Sequence, residues 1–292
     1  MMRARAGGIL VLAAVYGVAL TAGWAVADRL AGAGPVWALL AGDVAATLVV
    51  FTAAVTFDNT SAYDPFWSVA PLPLALWWAA RGDPDPVRFA VVAVLLGVWG
   101  IRLTGNFLAG WDGLRHEDWR YTEYRRLPVW GYWAVSLFGL HLMPTLVVFG
   151  AMLPVWAVTR EPGRPLGPLD AVAALVAAAA IAIEATADLQ KRRFRRRHPG
   201  RPVDTGLWAR SRHPNYLGEV AFWWGLFLFV PAAGGPWWTV AGPVAMTMLF
   251  LFVSIPLMER HMADRPGYAA YAARVPALLP RLRSRRSAPE EA

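Results

Sequence analysis

Arg210, Arg212 and His213 stand immediately before Pro214, and Asn215 and Glu219 follow it four residues apart. Pro214 suits the first turn of a helix, where its missing N–H is no loss, so the spacing predicts a helix that begins here and runs into an apolar segment. A helix start carries unpaired backbone N–H groups and the positive end of the helix dipole. With Arg210, Arg212 and His213 beside it, this turn is suited to hold a phosphate or carboxylate. Asn215 and Glu219 share one helix face. A carboxylate one turn inside an apolar segment is costly and points to function. The chemistry expected is recognition of an anionic cofactor headgroup. The plainer alternative is that the arginines mark the inner membrane surface while Asn215 and Glu219 tie helices together.

A second set precedes it. Glu184, Asp188, Lys191 and Arg195 advance by 4, 3 and 4 residues, which at about 100° per residue keeps them within about 60° of one face. A ladder of salt bridges would account for Asp188 with Lys191 and Arg195, but not for Glu184 deeper in the apolar segment. The basic run from Lys191 to Arg197 also suits an anchor on anionic lipid. Asp64, Arg102, Asn106, Glu259 and His261 lie toward the same ends of their segments as these residues. Asp43 and His141 lie elsewhere, with no expected role beyond helix contacts. The five histidines are scattered, without a zinc-site spacing, and the chain has no cysteine, so no metal ligand set is expected. No G-x-G-x-x-G and no phosphate loop occurs. A nucleotide would have to be held by helices and basic loops.

The elements that must position these residues are membrane helices. Of the 292 residues, 57% are hydrophobic and 16% charged, against about 25% charged in soluble domains. The apolar runs are too long for barrel strands, so the fold class expected is an all-α polytopic membrane bundle. Eight spans are read: 7–27, 36–57, 66–80, 87–109, 129–158, 169–189, 216–231 and 237–258. There would be seven if the first were cleaved as a signal peptide, the rival reading of Ala25-Val26-Ala27. Placing the amino terminus inside puts 22 basic residues on inner segments and five on outer ones, so both termini are expected in the cytoplasm. The net charge of +8 is accordingly read as inner-face bias and not as nucleic-acid binding. Residues 1–62 form the expected amino-terminal spans, 63–280 the functional domain, and 281–292 a disordered tail of mixed charge.

The motifs resemble those of a known family. Glu184-x-x-x-Asp188-x-Gln190-Lys191-x-x-Phe194 is followed by Gly206-Leu207-Trp208-x-x-Ser211-Arg212-His213-Pro214-Asn215-Tyr216-x-Gly218-Glu219, and then by Glu259 with Arg265-Pro266-Gly267-Tyr268 and Tyr271. Together they resemble the bacterial membrane proteins related to steroid 5-alpha-reductases. Tyr63-Asp64-Pro65-Phe66-Trp67-Ser68 and Glu117-Asp118-Trp119-Arg120-Tyr121 are weaker matches. The resemblance implies an inner-membrane oxidoreductase that uses NADPH to reduce an enone in a lipophilic substrate, with its site facing the cytoplasm. Carried over by position, Glu184, Asp188, Lys191, Arg195, Arg210, Arg212, His213, Asn215, Tyr216, Glu219 and Glu259 would contact the cofactor. Glu184 stands where the reductases have asparagine. Asp64 would replace their catalytic glutamate, and Tyr63 or Tyr121 their tyrosine, for which no match occurs near Trp99–Arg102. The alternatives are a membrane methyltransferase using S-adenosylmethionine, which shares an Arg-His-Pro-x-Tyr turn and a terminal glutamate, and a lipid-binding or transport protein without catalysis.

Overall fold

The computed structural model describes residues 2–280, which contain helices and connections and no strand. Seven helices are long and apolar enough to cross a membrane: α1 (Arg5–Arg29), α2 (Pro35–Thr56), α3 (Pro86–Gly110), α4 (Val129–Thr159), α5 (Pro168–Arg197), α6 (Pro214–Ala233) and α7 (Trp237–Ala263). The polarity is that of a protein in lipid. Ile101, Trp130 and Phe252 are more than 70% exposed while Arg88 is 1% exposed, and apolar surface on that scale is covered by lipid or a partner. The molecule is an all-α, polytopic membrane bundle.

The third of the eight expected spans, 66–80, is not one continuous helix. It divides into Phe66–Val69 and Pro71–Ala79, because Pro71 brings no N–H and its ring crowds the preceding turn. The broken segment still runs the length of α2. It starts beside the end of α2 at Asn59, whose amide donates back to the Ala54 carbonyl. At its far end Trp78 donates to the Pro35 carbonyl at 3.1 Å and Trp77 to Asp28 at 2.9 Å.

The chain forms two compact units, one running to Leu175 and including Trp223–Met246, the other comprising Val176–Phe222 and the described residues from Thr247. In the first, α1 and α2 meet at Gly23 and Gly42, where a Cβ on Gly42 would lie 2.4 Å from the Gly23 carbonyl oxygen. Only small residues allow that approach. Trp99 packs edge-on against Trp67 and Trp223. Arg88, near the start of α3, is buried; it pairs with Asp170 at 2.7 Å and donates to the Pro162 and Arg164 carbonyls. Within α4, Ser136–Leu142 widens to a π-helix.

In the second unit α5 and α6 meet at Gly218, where a Cβ would come within 2.4 Å of the Glu184 Cγ. The Gly of Asn-Tyr-x-Gly-Glu is thus a packing requirement. The charged, proline-punctuated segment after Glu259 contains a further helix, α8 (Tyr268–Arg274), entered through Gly267 at φ 79°. The expected disordered tail, 281–292, lies outside the described residues.

Candidate functional site

The cationic turn is held by three separate stretches of the second unit. Gly206 takes φ +62°, and a side chain there would collide with Gln190; Gln190 in turn accepts from the Leu207 N–H at 2.9 Å. Trp208 donates its indole N–H to the Ala187 carbonyl at 3.0 Å, and its own carbonyl accepts from the Tyr271 hydroxyl at 2.7 Å. The backbone N–H groups of Arg212 and His213 donate to the carbonyls of Pro276 and Ala277 at 2.9 and 3.0 Å. These bonds fix where the turn points before α6 begins.

A cavity opens between the turn, the end of α5, the end of α7 and α8. Its lining carries five basic side chains, Lys191, Arg195, Arg201, Arg212 and Arg265, with Trp208, Tyr216, Tyr268, Tyr271, Met258 and Met262 as apolar walls, and no carboxylate. Apart from Arg212, which pairs with Glu259, these basic groups face one another across one small space and repel, which favours an anion there. The aromatic faces suit a planar ring. His213 and Tyr216 stack at 5.1 Å with 9° between their planes.

Of the cofactor residues expected from sequence, Lys191, Arg195, Arg212, His213, Asn215 and Tyr216 line this cavity. Arg210 is exposed and lies outside the lining. Glu184, Asp188 and Glu219 are 2%, 8% and 3% exposed and also lie outside it. Glu259 acts from behind. Its Oε1 accepts from Arg212 Nε at 2.9 Å and from His213 Nε2 at 2.6 Å, while Arg212 Nη1 donates to the Ala272 and Val275 carbonyls. Arg212 is therefore a braced wall of the cavity. Burial holds the His213 imidazole below its ordinary pKa despite the attraction of Glu259, so the neutral ring donates that bond. Arg201 and Arg265 were not among the expected cofactor residues; the first sits in a loop read only as basic, and the second, though part of the quoted motif, is 53 residues from Arg212 in the chain. Among the described residues no three His, Asp or Glu side chains gather around a metal position.

The first unit brings together the two weaker motif stretches. Tyr121 donates its hydroxyl proton to Asp64 Oδ1, and Arg120 lies 3.6 Å from the same oxygen. The Asp118 N–H donates to the Ser61 hydroxyl at 2.8 Å, and the Thr60 N–H to Glu117 Oε1 at 2.9 Å. Asp64 Oδ2 is buried without a hydrogen-bond partner among the described residues. Burial pushes the Asp64 carboxyl up from 3.8 to about 6, held back by Arg120 and the Tyr121 hydroxyl. Burial likewise raises the Tyr121 phenol well above its ordinary value, so it stays a proton donor. Tyr63 does not join this group; its hydroxyl bonds to Thr145 at 2.7 Å, and Thr145 to Thr47 at 2.8 Å. The carboxyl–phenol pair is Asp64 with Tyr121.

These features define a class: a polytopic helical membrane protein with a basic, aromatic-walled cavity in one unit and a buried carboxyl–phenol pair in the other. The chain belongs to the family DUF1295, described as proteins of unknown function, whose profile matches residues 50–275. That range takes in both the Asp64 motif and the cationic turn. The chain is also similar to uncharacterized protein C594.04c of Schizosaccharomyces pombe, 26% identical over 263 residues that cover 80% of this chain and 76% of that protein. No solved structure matches.

Proposed function

We propose that the protein is an integral membrane oxidoreductase that uses NADPH to reduce the activated C=C bond of an enone in a lipophilic, steroid-like substrate, with the cofactor site facing the cytoplasm. The observation that carries the reading is the cavity of the second unit, five basic side chains and four aromatic rings with no carboxylate in its lining. NADPH fits it in kind, being strongly anionic and built from planar rings. S-adenosylmethionine carries a net positive charge, which such a lining repels. The resemblance of the quoted motifs to steroid 5-alpha-reductases supports the same choice.

Lys191, Arg195, Arg201 and Arg265 would hold the phosphates, with Arg212 positioned by Glu259; Tyr216, on the stacked His213, and Trp208 would bound the rings. NADPH supplies a hydride when bound. In the first unit Tyr121 and Asp64 would share a proton available to a substrate oxygen that gains charge. Asp64 keeps Tyr121 oriented when ionised and adds a second donor when protonated, which its raised pKa brings within reach of mildly acidic conditions.

The test is cofactor binding by purified protein in lipid nanodiscs, followed by NADPH oxidation with an enone sterol. Arg265→Ala and Lys191→Ala each remove a charge-assisted contact of about 1.5–3 kcal/mol, so affinity for NADPH should fall roughly tenfold to a hundredfold. It should also weaken as salt is raised. Wild-type protein that binds S-adenosylmethionine but not NADPH would overturn the proposal.

A further inference from the structure

His141 lies in the π-helical stretch of α4 and is 0% exposed. Its Nδ1 is 2.8 Å from the Ser136 carbonyl oxygen. A carbonyl only accepts, so Nδ1 carries the hydrogen and Nε2 presents a lone pair. That Nε2 is buried without a hydrogen-bond partner among the described residues, and the imidazole ring packs against those of Tyr63 and Phe51, with ring centroids 4.8 and 5.3 Å apart. An ionisable side chain left so inside an apolar segment marks function more often than packing.

A line of hydroxyls leads from His141 to the edge of the first unit. The Ser136 hydroxyl is 3.5 Å from His141 Nδ1 and 2.8 Å from Thr60 Oγ1; Thr60 Oγ1 is 2.6 Å from the Tyr132 hydroxyl; and that hydroxyl donates to Glu117 Oε1 at 2.7 Å. The direction of the line follows from counting hydrogens. Tyr132 has a single proton and gives it to a carboxylate, so it accepts from Thr60, and Thr60 in turn accepts from Ser136. Every link points outward. Glu117 is fixed as the terminal acceptor by Arg125, whose Nε lies 2.9 Å from Oε2 and whose Nη1 also reaches Asp58. Although burial alone would raise Glu117, the bonds from Arg125, Tyr132 and Thr60 hold it below the usual carboxylate range.

We propose that His141 is a proton-exchanging residue, connected to the surface by the Ser136–Thr60–Tyr132–Glu117 line. Nε2 takes a proton from an O–H or N–H donor, either water or a ligand in the interior of the unit. Nδ1 then gives its proton to the Ser136 hydroxyl, which turns from the carbonyl side to meet it. Ser136 passes its own proton to Thr60, Thr60 to Tyr132, and Tyr132 to Glu117. At each intermediate oxygen one bond to hydrogen forms and one breaks. The net change is a proton lost by the donor at Nε2 and gained by the Glu117 carboxylate, with His141 left neutral and its hydrogen on Nε2. The reverse sequence restores the starting tautomer. None of this depends on the NADPH reading.

The test is exchange of imidazole N–H protons with water, measured by NMR on full-length protein labelled with 15N-histidine in lipid nanodiscs. The His141 signal is identified by its loss in His141→Gln. Exchange at His141 should be faster than that of the surrounding α4 amides. Thr60→Val removes one hydroxyl at nearly constant volume and should slow it roughly tenfold or more, the effect of about 1.4 kcal/mol on the barrier. Thr60→Ser, which keeps the hydroxyl, should restore the wild-type rate. Tyr132→Phe breaks the next link and serves if the valine variant does not fold. Wild-type exchange rates in the variants that lack a hydroxyl would overturn the proposal, and so would a wild-type His141 proton no faster than the helix amides.

Discussion

Replacing Asp64 by asparagine tests whether burial governs this carboxyl. The side chain is 10% exposed, so the displacement of its pKa from 3.8 to about 6 is a real free-energy difference between folded and unfolded chain. Two units correspond to about 3 kcal/mol. The folded pKa is the higher one, so the neutral form favours the fold. The associated stability is present below the unfolded value and is lost as pH rises through about 6. Asparagine keeps an acceptor for the Tyr121 hydroxyl and does not ionise. Relative to wild type, Asp64→Asn should therefore gain about 2 to 3 kcal/mol between roughly pH 4 and pH 7. At about 2–4 °C per kcal/mol for a chain of this order of size, its melting temperature should climb against wild type by about 5–10 °C across that range. Thermal unfolding of both proteins in the same nanodiscs at several pH values measures this, and other titrating groups cancel in the difference. A gap that does not change with pH would mean that Asp64 is solvated or fully paired, and the argument from burial would fail.

Other outcomes follow from the same geometry. Tyr121→Phe removes the donor to Asp64 and should lower the rate of enone reduction by on the order of a hundredfold. Tyr63→Phe breaks only the Thr145 bond, so it should cost about 1 kcal/mol of stability and leave turnover near wild type; the opposite pattern would put Tyr63 in the chemistry. Gly218→Ala forces a methyl against the Glu184 Cγ and the Ala180 carbonyl and should destabilise by about 1–3 kcal/mol, read as a lower melting temperature, whereas unchanged melting would show that α5 and α6 do not meet there. The chain has no cysteine, so single cysteines at Asp58 and Asp83 report membrane sidedness directly. Labelling from opposite faces is expected if the broken 66–80 segment crosses, and labelling from one face would remove the eighth crossing together with the cytoplasmic placement of both ends.

The sequence disclosed what depends on local order. Apolar runs of about 20 residues are long enough to identify spans, whereas the division of 66–80 at Pro71 was not read. The turn at Pro214 and the Lys191–Arg195 stripe were legible because helix starts and face sharing are fixed by near neighbours. What could not be read depends on distant partners. Tyr121 meets Asp64 across 57 positions, and nothing in the spacing favours it over Tyr63, which is adjacent in sequence but turned toward Thr145. That Glu259, 47 positions on, braces Arg212 at the cavity wall could not be read from spacing. Arg265 stood in a quoted motif with no role given to it, and only the fold brings it to the cavity wall with Lys191 and Arg195. The hydroxyl line from Ser136 to Glu117 uses residues of ordinary type from three segments, and only their assembly shows it.

The carbonyls of Pro276 and Ala277 that receive the N–H groups of Arg212 and His213 set an order of events during synthesis. A nascent chain will have inserted α6 and α7 before the residues that shape the cationic turn have left the ribosome. Until they do, the turn lacks two of the backbone bonds that fix its direction, and the cavity it helps to line is incomplete.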